Sequence, residues 1–211
     1  MSSLLAILAV LVLLIVEKIW PRKKKAPVFA RRYFHPGHTW AQVDEAGEAL
    51  VGIDDFAAGV LGTIDSVTLP RYLKVLRQGE PAFELSTGNR KVRLLSPISG
   101  AVIEKNEMVL QNPSLVLTSP LQDGWLLKVH PRRHAASELR NLISGKLVPD
   151  WLDVTRAHLV RFFSSHPILT AQDGGTLTKD LAARCSDSEW DALTREFFLS
   201  PQSYHAKETR Q

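Results

Sequence analysis

Apolar positions fall along this chain in three successive regimes. Over residues 4–16 they are unbroken. Over residues 33–131 they form short alternating or apolar runs separated by Gly, Pro and Asn, and beyond Pro131 they recur at helical spacing. The middle regime is the pattern of a compact antiparallel β domain. Strands are predicted at Thr39–Val43, at Ala49–Ile53, over 64–69 and over 124–129. Residues 53–61 are the exception: Phe56, Val60 and Leu61 recur at helical spacing behind Asp54 and Asp55, either of which can cap a helix. The third regime predicts one helix over 137–147, ending near Gly145. A second begins with Pro149 in its first turn and carries a stripe of Trp151, Val154, Leu159 and Phe162. Asp173-Gly174-Gly175 reads as a turn, and Ser186-Asp187-Ser188-Glu189 as a capping box opening a third helix with Trp190, Leu193 and Phe197 on one face.

These regimes divide the chain into an apolar segment at 1–20, a charged linker at 21–33, a β domain at 34–131, a helical extension at 132–200 and a polar, flexible tail at 201–211. The formal charge of +4 is concentrated in the linker. Lys18, Arg22, Lys23, Lys24, Lys25, Arg31 and Arg32 lie close together against Glu17 alone, whereas the rest of the chain has 19 Lys and Arg to 21 Asp and Glu. A juxtamembrane cluster explains the high isoelectric point, and no zinc-finger spacing or RNA-binding aromatic signature accompanies it, so nucleic acid is not an expected partner. Cys185 is the single cysteine, which excludes an intrachain disulfide. It has no His and Asp or Asn companions in the pattern of a catalytic thiol, and reads as a small residue near a helix end.

Residues 1–20 form about 30 Å of helix if helical throughout, the thickness of a bilayer core. Glu17 and Lys18 can reach the headgroups, Trp20 suits the interface, and Pro21 stops the helix before Arg22, Lys23, Lys24 and Lys25. A cleaved signal peptide would want positive charge before the apolar run and a small-residue cleavage site after it, and neither is present. The expectation is a single-pass N-terminal anchor over residues 4–20, with the soluble part on the cytoplasmic side by the positive-inside rule.

Four sequence blocks carry a family likeness: Val51-Gly52-Ile53-Asp54-Asp55-Phe56-Ala57 with Leu61-Gly62-Thr63-Ile64 and Leu69-Pro70; Ser96-Pro97-Ile98-Ser99-Gly100-Ala101-Val102 with Asn106-Glu107; Asn112-Pro113-Ser114-Leu115-Val116; and Gly124-Trp125-Leu126-Leu127-Lys128-Val129. In this order they resemble the H protein of the glycine cleavage system, over nearly half the chain. His38-Thr39-Trp40 is similar to the family's His-acidic-Trp entry, without the acid. The resemblance implies a mainly β fold, a flattened lipoyl-type barrel-sandwich of two packed sheets, preceded here by one transmembrane helix and followed by an α-helical extension. It also implies a lipoate carried on a lysine at a hairpin tip, eight residues before the proline of a Pro-x-Ser-Gly block. Counting back from Pro97 gives Asn89. The carboxamide of Asn89 lacks the amine that lipoylation acylates. Gly88-Asn89 still suits a tight hairpin turn. The family's acidic residues near the tip correspond to Ser86 and Arg93, so Arg90, Lys91 and Arg93 make this hairpin basic.

Glycines and prolines in these blocks have their own reading. Gly62, Gly100 and Gly124 can take positive φ where strands reverse, and Pro97 and Pro113 belong at strand starts or edges. His35 and His38 flank a Pro-Gly turn, and His130 and His134 flank Pro131; neither pair has the company of a metal site. No nucleophile elbow or phosphate loop is found, so an enzyme is not expected.

The expected function is therefore a membrane-tethered, non-catalytic interaction or scaffold domain that carries no cofactor. Arg90, Lys91 and Arg93 are the expected contacts with a protein partner, and their charge suits an acidic one. The alternative is a lipoylated aminomethyl carrier using Lys91, whose amine lies two residues, or about 7 Å of strand, from Asn89.

Overall fold

A computed structural model describes residues 32–132, 135–164 and 185–199 of the 211-residue chain. The predicted anchor at 1–20, nearly all of the basic linker, the 173–175 turn, His134 and the tail lie outside the described residues. Among those described, no helix is long and apolar enough to cross a membrane.

Among the described residues, ten strands form two sheets. In chain order they are β1 (Arg32–His35), β2 (Thr39–Val43), β3 (Ala49–Ile53), β4 (Ser66–Thr68), β5 (Val75–Leu76), β6 (Pro81–Thr87), β7 (Arg90–Leu95), β8 (Gly100–Lys105), β9 (Leu127–Pro131) and β10 (Ile143–Ser144). One sheet has seven strands in the order β10-β1-β2-β3-β9-β8-β5, and the other has three, β4-β6-β7. All pairings are antiparallel. Alternation drives the packing: Ala49, Val51 and Ile53 of the large sheet and Phe83, Leu85, Val92 and Leu94 of the small one are buried in a single core. Short helices plug the barrel: α1 (Asp55–Leu61), α2 (Glu107–Gln111) and α3 (Leu115–Thr118). Asp54 caps α1 by accepting from Ala57 N at 2.9 Å.

Beyond the barrel lie α4 (Ala135–Leu139), α5 (Leu147–Ser164) and α6 (Asp187–Phe197). The helix expected over 137–147 is broken. Ile143 and Ser144 leave it to pair with Phe34 and Tyr33 as an edge strand, and Gly145 turns the chain at φ +62 into α5. Hydrogen bonds to an open sheet edge outweigh the local helical preference. The stripe on α5 is also shifted: Val154 is exposed, whereas Thr155, Leu159 and Phe163 are buried. The capping box on α6 is complete, with Ser186 and Glu189 each accepting from the other's backbone, and Trp190, Leu193 and Phe197 are buried. The last barrel strand begins at Leu127 rather than Gly124. Gly62 takes the positive φ expected of it, but Gly100 and Gly124 do not. Their glycines are needed for close approach instead: a Cβ on Gly100 would lie 2.4 Å from the His130 carbonyl oxygen, and one on Gly124 2.5 Å from that of Leu115.

One buried side chain ties the extension to the barrel. The connection between β1 and β2 is the three-residue loop Pro36-Gly37-His38, whose last position is left-handed, with His38 at φ +61. A non-glycine residue there costs about 1–2 kcal/mol. His38 is only 1 % exposed; its Nδ1 lies 2.8 Å from Asp54 Oδ2, and its ring stacks on Phe56 at 4.1 Å and Trp151 at 4.9 Å, with Phe198 edge-on at 6.2 Å. A buried hydrogen bond to a charged group contributes about 1.5–3 kcal/mol and each ring pair about 0.5–1.5 kcal/mol. The contacts outweigh the strain. His38→Gly relieves the backbone and yet should destabilise the protein by about 2 kcal/mol in denaturant unfolding, with α5 and α6 losing hydrogen-exchange protection first.

His35 beside it accepts from Gly37 N through Nδ1 at 3.0 Å. Burial, and secondarily the nearby His38, lower its pKa from the ordinary histidine value. The unfolded chain then binds the proton more readily than the folded one, so this contribution to stability is complete above the unfolded pKa of about 6.5 and is lost as pH falls below it. Thermal unfolding between pH 7 and pH 5 should show a falling midpoint, and His35→Asn, which keeps an acceptor for Gly37, should flatten that slope.

Candidate functional site

The hairpin of β6 and β7 is set by its register. Thr87 pairs with Arg90, leaving only Gly88 and Asn89 in the turn. Gly88 stands at φ +58 in the first central position, as a II′ turn requires. The tip is pinned from the neighbouring segment: Asp65 Oδ2 accepts from Gly88 N, Asp65 N donates to Ser86 O at 2.8 Å, and the Thr63 and Thr87 hydroxyls are 3.0 Å apart. Asn89 is exposed at the bend.

The pleat divides the three cations that the sequence suggested as one patch. Lys91 and Arg93 point outward with Glu84, at 3.0 Å from Lys91 Nζ to Oε1 and 3.1 Å from Arg93 Nε to Oε2. Burial would raise the Glu84 carboxyl, but the hydrogen bonds and charges of Lys91 and Arg93 prevail and hold it below the ordinary glutamate value. Arg90 lies on the opposite face, with Val92 and Leu94, and reaches the start of α6. Its guanidinium donates to the Cys185 carbonyl and to Asp187 Oδ1 at 3.4 Å, and sits 5.7 Å from the centroid of the Trp190 ring. The helix start thus covers the inner side of the tip. Nothing in the sequence joins Arg90 to residues nearly a hundred positions later. The capping box fixed where α6 begins, but not what it would meet.

Cys185 is buried in the same contact. Burial, then the charge of Glu189, push its thiol up to about 11, against the opposing pull of Arg90. It is therefore protonated at neutral pH and a poor nucleophile. Beside the hairpin, Leu69, Pro70, Pro81, Phe83 and Arg93 border a groove of about 300 Å³. No group of three or more metal-ligating side chains occurs among the described residues, and His130 is exposed. The acidic companion missing beside His38 in the sequence is supplied by the fold, as Asp54 from sixteen residues away.

A lipoyl group is attached through an amide, so it needs an amine where the attaching enzyme reads the hairpin. The tip offers the carboxamide of Asn89 and does not fit that chemistry. The one amine on the hairpin's outer face near it, Lys91, is on the strand opposite Ser86 and salt-bridged to Glu84.

Residues 32–152 match the family model described as glycine cleavage H-protein. A probable glycine cleavage system H protein of Pyrococcus furiosus is 33% identical over 120 residues, 57% of this chain and 88% of that protein. A glycine cleavage system H protein of Streptomyces coelicolor is 40% identical over 92 residues, 44% of this chain and 74% of the relative. The crystal structure of a glycine cleavage system H protein from Mycobacterium marinum aligns with a TM-score of 0.45 at 28% identity, covering 48% of this chain and 84% of that one.

Arg90→Ala removes both the cation–π contact and the hydrogen bonds to the start of α6, a loss of about 1–2 kcal/mol in the local docking. Opening of that helix should become about tenfold more frequent. Alkylation of Cys185 by iodoacetamide in the folded protein reads this directly: slow in wild type, about tenfold faster in Arg90→Ala at unchanged pH.

Proposed function

Because the chain belongs to the glycine cleavage H-protein family, we propose that it retains the family's β domain as a membrane-tethered, non-catalytic interaction module that does not carry lipoate. The observation that carries this reading is Asn89 on the two-residue bend, where a carrier lysine would stand. The docking of Arg90 on α6 supports it, since one side of the tip is already occupied by the chain's own helix. In this reading the apolar segment at 4–20 and Arg22, Lys23, Lys24 and Lys25 hold the domain at the cytoplasmic face of a membrane, and Lys91 and Arg93 meet an acidic protein partner. Lys91 is 60% exposed and Arg93 47%, so both can be reached without unfolding the hairpin.

That same exposure favours one other reading, a lipoylated aminomethyl carrier acylated on Lys91. The two differ by a covalent mass. Intact-mass analysis of the protein purified from its native host should give the unmodified chain. A lipoyl adduct mapped to Lys91 would overturn the non-carrier reading. In gentle detergent, Lys91→Gln with Arg93→Gln should lose the co-purifying partner while leaving the unfolding midpoint within a few degrees of wild type, since both cations are largely exposed and such pairs contribute about 0–1 kcal/mol; undiminished recovery would remove the hairpin's outer face from the contact.

A further inference from the structure

At the far edge of the large sheet, Arg71-Tyr72-Leu73-Lys74 before β5 and Val75, its first residue, are all exposed. Tyr72 and Leu73 are each 61% exposed and Val75 43%. This is a built feature rather than a slack loop. Lys74 N donates to Arg71 O at 3.1 Å, closing a turn, and the turn is fastened to β8 by Leu73 N to Val102 O at 2.8 Å and Val102 N to Lys74 O at 3.0 Å. Leu76 behind it is buried.

Leu73 has φ +60. A turn of this kind favours glycine or asparagine at that position, and a leucine there is strained. The side chain is not rewarded by burial either, so neither the fold nor the local backbone accounts for it. Backbone strain kept at an exposed residue is the kind of outlier that motivates a contact made outside the chain. The neighbouring side chains say what kind. Tyr72, Leu73 and Val75 make an exposed apolar patch beside Arg71 and Lys74, neither of which forms an ion pair with a described residue. An aromatic and an aliphatic side chain able to enter the acyl boundary, between cations that stay at headgroup level, match an anionic lipid surface.

We infer that the Arg71–Val75 turn is a second membrane contact, which dips Tyr72 and Leu73 into an anionic leaflet. It rests on the tethered reading above only for the membrane's being within reach: the seven chain steps from Lys25 to Arg32 extend to about 25 Å, enough to span the roughly 24 Å of five strand spacings between β1 and the β5 edge.

The test uses the full chain with Leu73→Cys on a Cys185→Ala background, carrying a nitrobenzoxadiazole reporter, and a matching reporter at Glu45→Cys in the exposed β2–β3 turn. With excess vesicles of phosphatidylcholine and phosphatidylglycerol, the reporter at 73 should shift to the blue and be quenched by nitroxide-bearing lipid, and the one at 45 should not. Phosphatidylcholine alone, or Arg71→Glu with Lys74→Glu, should return the signal at 73 to its aqueous value. An aqueous signal at 73 in anionic vesicles overturns the inference whether or not the chain survives an alkaline carbonate wash, which separately reports the N-terminal anchor. A blue shift without vesicles would overturn it in favour of a second copy, and one produced only by added membrane protein in favour of a protein partner. Leu73→Gly should leave the unfolding midpoint no lower than wild type, which separates a surface role from a structural one.

Discussion

His38 is the side chain on which the two halves of the described fold converge. Its backbone closes the β1–β2 turn in a left-handed conformation, and its Nδ1 meets the carboxylate that caps α1. Its two ring faces receive Phe56 from that helix and Trp151 from α5, while Phe198 approaches edge-on from the end of α6. Neither the turn nor the buried Asp54 would be stable alone: the turn is strained, and an unpaired buried carboxylate is costly. Each is tolerated because the other is present. The helices that follow the barrel consequently share its core, and Phe56 against Phe197 at 5.8 Å continues the same packing.

The hairpin is held by a different rule. Phe83, Leu85, Thr87, Val92 and Leu94 are buried on one face of β6 and β7, so a slip of one residue would turn all of them outward. The irregularity near Pro81 sits at the open end and leaves the tip pairing intact. That is why the residue at the bend can be named from chain counting alone. The apolar core fixes the register, the register fixes the turn, and the turn presents Asn89. The same alternation separates Arg90 from Lys91 and Arg93.

Local signals were the ones legible in the sequence. β2 and β3 follow from alternation, α1 from Asp54 and its helical spacing, and α6 from its capping box, because each is specified within a few residues. The failures are mostly long-range, the splitting of Arg90 from Lys91 and Arg93 by the local pleat being the exception. The helix expected over 137–147 yields to an edge strand because Phe34 and Tyr33, a hundred residues earlier, offer it a partner. Gly100 and Gly124 look like turn glycines, yet they are required by backbone that arrives from His130, Leu115 and Ser119. At the candidate site, the hairpin and its changed tip were readable by position. The grip of α6 on Arg90, the Glu84 pairing and the His38–Asp54 contact were not, since spacing carries no information about which distant side chain fills a face.

Two features of the hairpin act together on what it can bind. Glu84 is ionised throughout the neutral range, as an ordinary glutamate is, and the cations it neutralises hold its carboxyl lower still. An acidic partner therefore meets Lys91 and Arg93 already compensated, and must compete with Glu84 for them. Exposed ion pairs of this sort contribute little and weaken with salt. Charge on this face can select a partner and speed its approach, but it supplies only part of a lasting complex. The remainder has to come from apolar surface, and the groove bordered by Leu69, Pro70, Pro81 and Phe83 lies directly beside Arg93. On the interaction reading, then, the partner segment that fits is one that pairs an acidic residue with an apolar side chain able to enter that groove.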